Sequence, residues 1–171
     1  SFEALSSCQN LLSSHDVKRF LNRCGINQDG ILGAIFLQAT FPGIAGVYYG
    51  DEVGLGGADD PFNREPFPWN NEESWNKTIL EFTKSMMQIK NVNPIFKYGR
   101  FELLDYEENV VIFRRILQDE SLICIVNRDR ITNDIIIPSN AHSIDILYGD
   151  CKANLEDGSV KITKNAGDVG I

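Results

Sequence analysis

The chain has 171 residues, 43% of them hydrophobic, enough to bury a sizeable core as one domain or two small ones. A formal net charge of −8 argues against nucleic acid as a partner, because phosphate binding needs clustered Lys and Arg, and no basic stripe compensates. No run approaches the roughly 18–20 apolar residues of a membrane span, and the N-terminus lacks the basic-then-apolar pattern of a leader, so no membrane partner is expected either.

Residues 1–12 read as a short lead-in and an apolar strand ending near Leu12. After Asp29 and Gly30, the run from Ile31 to Ala39 holds one polar residue, Gln38. It is too long for an ordinary strand and predicts a helix buried on most of its surface, ended by Pro42 and Gly43. Ile44 to Tyr49, bounded by glycines, predicts a fully buried parallel strand. The order is strand, helix, strand.

Residues 50–70 are rich in glycine, proline and acids and predict a long loop, the kind that in compact domains usually carries function. A helix is expected from Asn70, with Glu72 and Glu73 in its first turn, where the dipole favours acids. Trp75, Ile79, Phe82, Met86 and Ile89 form one stripe of helical period that should pack on the preceding strands. Asn91 to Pro94 stops it. Beyond about Tyr98 the texture becomes all-β: runs at 99–105, 109–118, 121–128, 132–138 and 144–149 are separated by turn clusters. A hairpin follows around Asp157-Gly158, then a short strand from Val169 to Ile171.

Cys8, Cys24, Cys124 and Cys151 have no pair at metal-ligand spacing, and a chain of this size needs no disulfide staples. Reduced, partly buried thiols and a cytoplasmic location are expected. The sequon Asn76-Lys77-Thr78 falls within the predicted helix, which disfavours glycosylation.

His15 and Asp16 stand together just past a strand, where parallel α/β sheets and barrels present groups to a ligand. Read alone, the pair is better explained as a turn cap, with Asp16 bonding backbone amides. The loop from Gly57 to Trp69 combines acids, Arg64 and aromatics. Sugars are bound by planar charged groups that make paired hydrogen bonds to hydroxyls, with aromatic faces against the ring. A plain surface loop with an Asp–Arg ion pair has the same composition. Asp51-Glu52 has the make-up of a glycosidase carboxylate pair. Adjacent residues on an extended strand end point to opposite faces, however, so a structural role is preferred. Gly54 to Gly57 lacks the strand-to-helix context of a nucleotide fingerprint and predicts backbone turning.

Asn-Leu-Leu-Ser-Ser-His-Asp (10–16), Arg19-Phe20-Leu21, Pro42-Gly43, Tyr48-Tyr49-Gly50-Asp51-Glu52-Val53-Gly54 and the run from Asp60 to Trp69 resemble the alpha-amylase superfamily of glycoside hydrolases. The match is closest to its neopullulanase, cyclomaltodextrinase and maltogenic amylase branch and runs in order over about residues 10–90. The resemblance implies the last part of a (β/α)8 TIM barrel, strands seven and eight with their helices, in residues 1–97. It implies a C-terminal antiparallel β-sandwich in 98–171.

By the same resemblance Asp16 is the third catalytic carboxylate, holding hydroxyls of the sugar at the cleavage site, and His15 bonds that sugar. Asp60 and Arg64 bind the next sugar towards the non-reducing end. Ser13 stands where glycine is common in the family, Val17-Lys18 where Thr-Pro is common, and Ala45 where proline is usual. The family's nucleophilic aspartate and general-acid glutamate would lie upstream of Ser1, and the chain stops within an expected strand. A C-terminal fragment of a retaining α-glycosidase, inactive alone, is therefore expected.

The implied substrates are α-1,4- or α-1,6-linked glucans, maltooligosaccharides or cyclodextrins. No cofactor is implied for this chain; calcium in the parent is left open, and no oxygen cluster here has calcium-loop spacing. A non-catalytic carbohydrate-binding or assembly module is the competing reading. A part-barrel would also expose strand edges and apolar faces, so self-association of the chain is expected.

Overall fold

The computed structural model describes residues 2–25, 28–106, 109–128, 133–164 and 168–171. The chain forms two compact units, Ser1–Gly99 and Arg100–Ile171.

In the first unit the lead-in is a short helix, α1 (Phe2–Ser6), followed by strand β1 (Gln9–Leu11). After a short helix α2 (Phe20–Arg23) comes α3 (Gln28–Thr40), and then strand β2 (Ile44–Gly46). The strands pair in parallel, with Gln9 opposite Ile44 and Leu11 opposite Gly46. Helix α3 is buried along most of its length, as its composition predicts: Ile31, Gly33, Ile35, Phe36, Gln38, Ala39 and Thr40 are all inside. Its single polar core residue has a specific task. Gln38 Nε2 donates to Asn10 O at 2.9 Å and to Gly46 O at 2.8 Å, tying one helix to both strands. Bonds of this kind offset the cost of burying an amide.

Strand β2 is shorter than Ile44–Tyr49 and is not fully buried: Ile44 is 61% exposed, and Val47 lies exposed beyond the strand. The two-stranded sheet gives each strand one neighbour, which leaves Leu11 and Ile44 uncovered.

Helix α4 spans Lys77–Val92. Glu72 and Glu73 lie outside it, in a separate 3-10 turn, Glu72–Ser74. Asn76 caps α4 instead, its side chain accepting from the Ile79 N–H at 3.1 Å. The sequon asparagine is thus a helix cap rather than an interior residue. The buried stripe is Ile79, Phe82, Thr83 and Met86, and it packs on α3 and on the turn at Asp51–Val53 rather than on the strands. Lys90 Nζ donates to Ala39 O at 2.8 Å, a cation at the carbonyl end of α3. The helix stops at Val92, and Pro94 opens the short helix α5 (Pro94–Tyr98).

The second unit holds two antiparallel sheets. One has the order β3 (Arg100–Tyr106), β4 (Val110–Leu117), β5 (Glu120–Asn127) and β9 (Asp168–Gly170). The other has the order β6 (Asn133–Pro138), β8 (Ser159–Lys164), β7 (Cys151–Glu156). Ile112 and Ile125 from the first sheet and Ile137, Val160 and Ile162 from the second make one core. The β7–β8 hairpin turns through Asp157 (φ 39°) and Gly158 (φ 79°), the positive-φ pair that a tight two-residue loop requires.

The strand expected at 144–149 does not form. Those residues run irregularly, and the backbone N–H groups of Leu147 and Tyr148 bond to Ile171 O at 2.9 and 3.2 Å. The N-terminal arm of the hairpin, β7, begins at Cys151. The four cysteines form no disulfide; Cys8 is exposed and Cys124 buried.

Candidate functional site

Because β1 and β2 run in parallel, the loops that leave their C-terminal ends start side by side. The loop after β1 carries His15 and Asp16. His15 Nε2 sits 3.3 Å from Asp16 Oδ2, with the side chains 65% and 71% exposed. The turn is capped by a neighbour: Ser14 Oγ accepts the Asp16 N–H at 3.2 Å. Asp16 is therefore not spent on backbone amides. Among the described residues its carboxylate has His15 alone as partner, which leaves oxygen lone pairs for a ligand.

The loop after β2 folds back onto this turn. Asn63, almost wholly buried, donates through Nδ2 to His15 O at 2.9 Å and to Val17 O at 3.1 Å. Arg64 Nε donates to His15 O at 3.0 Å and meets Asp60 Oδ1 at 2.9 Å. Lys18 Nζ pairs with Asp59 Oδ2 at 3.1 Å from the opposite direction. His15, Asp16, Asp60 and Arg64 are thus brought together from two loops. The Asp60–Arg64 ion pair is present, with its closest approach at Nε. Among the described residues the terminal nitrogens of Arg64 have no hydrogen-bond partner. A planar donor fork of that kind suits paired hydroxyls.

A second layer holds both loops in place. Arg19, with 0% exposure, donates through Nη1 to Tyr49 O at 2.6 Å and lies 3.4 Å from Asp51 Oδ1. Its guanidinium stacks on the rings of Tyr48 and Tyr49, 4.5 and 4.7 Å from their centroids. Its backbone N–H donates to Gly57 O at 3.0 Å. Ser13, also buried, accepts the Phe20 N–H at 2.8 Å.

Asp51 and Glu52 lie in a 3-10 turn, Asp51–Val53, not on a strand end. The Asp51 carboxyl is engaged by Arg19, which gives it a structural place in this layer. Burial raises the Asp51 pKa above 3.8, outweighing the lowering by Ser13 and Arg19. Burial likewise raises the Tyr48 phenol, helped by its hydrogen bond with Tyr49. The turn needs its glycines. Gly50 and Gly54 have φ of 90° and 70°, and a Cβ on Gly57 would meet Phe62 O at 2.5 Å.

No family model matches the chain. It is 30% identical over 167 residues to neopullulanase 2 of Thermoactinomyces vulgaris, covering 94% of this chain and 28% of that protein. It is 39% identical over 118 residues to a cyclomaltodextrinase of Thermoanaerobacter pseudethanolicus, covering 69% of this chain and 20% of that protein. Neopullulanases, cyclomaltodextrinases, maltogenic amylases and amylopullulanases are thus its relatives, and its structural neighbours are alpha-amylase-family debranching enzymes. The crystal structure of a debranching enzyme from Nostoc punctiforme matches with a TM-score of 0.87 at 29% identity, over 99% of this chain and 36% of that one. The chain therefore spans about a third or less of the relatives it matches.

Arg19 and Asn63 are the residues to which the sequence alone assigns no role. Both lie inside the motifs that carry the family resemblance. Nothing local marks them as buried, because their partners sit 30 to 48 residues away.

Proposed function

We propose that this chain is the C-terminal part of a retaining α-glycoside hydrolase acting on α-1,4- or α-1,6-linked glucans, maltooligosaccharides or cyclodextrins. Its first unit supplies strands seven and eight of a (β/α)8 barrel, and its second unit is the β-sandwich that follows. The observation that carries this reading is the convergence of four residues: Asn63 and Arg64 bind the His15 carbonyl and so set Asp60 and Arg64 beside His15 and Asp16.

In this reading Asp16 accepts hydrogen bonds from hydroxyls of the sugar at the cleavage point, and His15 bonds the same ring. Arg64 and Asp60 hold the next ring. Binding energy realised on a distorted ring lowers the barrier. A retaining mechanism also needs a nucleophile and a general acid about 5–5.5 Å apart. Asp51 is tied to Arg19 and Asp60 to Arg64, which supports the reading that both groups come from elsewhere in the parent enzyme and that the chain alone is inactive.

The test is reconstitution. The chain is mixed with the upstream part of its parent enzyme and assayed on a chromogenic maltoside. Restored cleavage that D16N abolishes supports the proposal. Binding of maltooligosaccharide by calorimetry with no cleavage in the mixture instead identifies a non-catalytic carbohydrate-binding module.

A further inference from the structure

The same loop that carries Asp60 and Arg64 ends in an aromatic group. Trp69 is 71% exposed. Packing does not account for it, since a tryptophan left in water returns little of the hydrophobic energy its burial would supply. Trp75 nearby is the one used structurally: it is half-buried, and its Nε1 donates to Pro68 O at 3.1 Å. Lys77 Nζ lies 4.6 Å from the centre of the Trp75 ring.

Trp69 is nonetheless held in place. Its ring lies 4.3 Å from that of Phe67 and edge-on to Trp75 at 6.5 Å. Phe67 is itself edge-on to Trp75 at 5.4 Å. The Trp69 N–H donates to Phe67 O at 2.8 Å, and Pro66 and Pro68 restrict the backbone on either side. The indole Nε1 of Trp69 has no hydrogen-bond partner among the described residues. The exposed neighbours Glu65, Asn70, Asn71, Glu72 and Glu73 are polar. A pre-ordered aromatic face with a free donor and polar surroundings suits a ligand that is apolar on one face and rich in hydroxyls at its edge. A protein interface would place more apolar surface around its anchor.

We propose that Trp69, backed by Phe67, is a stacking platform for a glucosyl unit of an α-linked glucan, extending the sugar path beyond Asp60 and Arg64. Trp69 lies five positions after Arg64, a reach of at most about 18 Å. The proposal rests on the sugar-binding reading of this loop and adds to it a binding position for longer chains.

The chain itself is titrated with maltoheptaose, by calorimetry and by tryptophan fluorescence, which reports on just 2 residues. W69A is expected to weaken binding roughly three- to tenfold, and W69F less, because it keeps an aromatic face. In the wild type, bound maltoheptaose should shield Trp69 from acrylamide quenching, a measurement that does not depend on any variant folding. Unchanged affinity in W69A, or binding without shielding, overturns the platform; if R64A still weakens binding, the sugar reading stands. Absence of any maltoheptaose binding also overturns the platform, while the reconstituted cleavage assay judges the sugar reading separately.

Discussion

Arg64 Nε lies 3.0 Å from the carbonyl oxygen of His15, a residue 49 positions earlier in the chain. The Asn63 amide reaches the same carbonyl at 2.9 Å from within the fold. One oxygen therefore joins the loop after β1 to the loop after β2. Asn63 contributes the buried share of this junction. Asn63→Ala removes the side-chain donor to the Val17 carbonyl and one of two donors to the His15 carbonyl, and should cost about 1–3 kcal/mol. Urea denaturation of the variant should show a lower midpoint with an unchanged slope; an unchanged midpoint would show that the contact contributes nothing.

Arg19 and Asp51 form the second junction, with the arginine fully buried and the aspartate side chain 12% exposed. Arg19→Met keeps much of the volume but strands a buried carboxylate, so a loss of about 3–5 kcal/mol is expected. Adding Asp51→Asn should recover part of that loss. The double-mutant cycle checks this: strict additivity would mean that the two groups do not act as a pair.

Two carboxylates should respond to pH with opposite sign. Burial raises Asp51 above 3.8, so the folded state binds its proton more tightly than the unfolded state. Its stabilising contribution is full below that value and is lost as pH rises through the folded pKa. Asp134 is lowered below 3.8, first by its hydrogen bond from Thr163 and then by Lys161. Its contribution is present above that value and is lost as pH falls through the folded pKa. Carboxyl chemical shifts followed by NMR should place the two midpoints on opposite sides of 3.8. Thr163→Val should move Asp134 upward and leave Asp51 where it is.

Leu11 and Ile44 lie exposed on strands that have one neighbour each. Unpaired strand edges beside apolar side chains recruit further strands. The isolated chain should therefore self-associate, with light-scattering mass rising with concentration. Ile44→Lys should reduce it, and a monomeric mass at high concentration would contradict the expectation.

Much of the local structure is legible in the residues. The run from Ile31 to Ala39 announces a buried helix, because one polar residue in so long an apolar stretch leaves no solvent face. Most strands of the second unit follow from apolar runs between turn clusters. The region 144–149 shows the limit of that reasoning: its Ile-Leu-Tyr composition suits a strand, but its N–H groups pair with Ile171, and that pairing has no local signal. The Glu72–Glu73 turn is similar. Acids favour a helix start, yet Asn76 supplies the cap that sets where α4 begins.

The sequence alone determined the strand–helix–strand order, the change to β texture after Tyr98 and the placing of His15 and Asp16 just beyond a strand. These depend on periodicity and on neighbours within a few residues. The tertiary structure decided which polar groups are structural and which remain open to a ligand. Gln38, Arg19 and Asn63 are buried because acceptors 8 to 48 residues away meet their donors. Hydrogen bonds across such separations depend on how the chain returns to itself and leave no repeating pattern along it. Asp16 and the outer nitrogens of Arg64 stay available because Ser14 and Asn63 meet the backbone's needs around them.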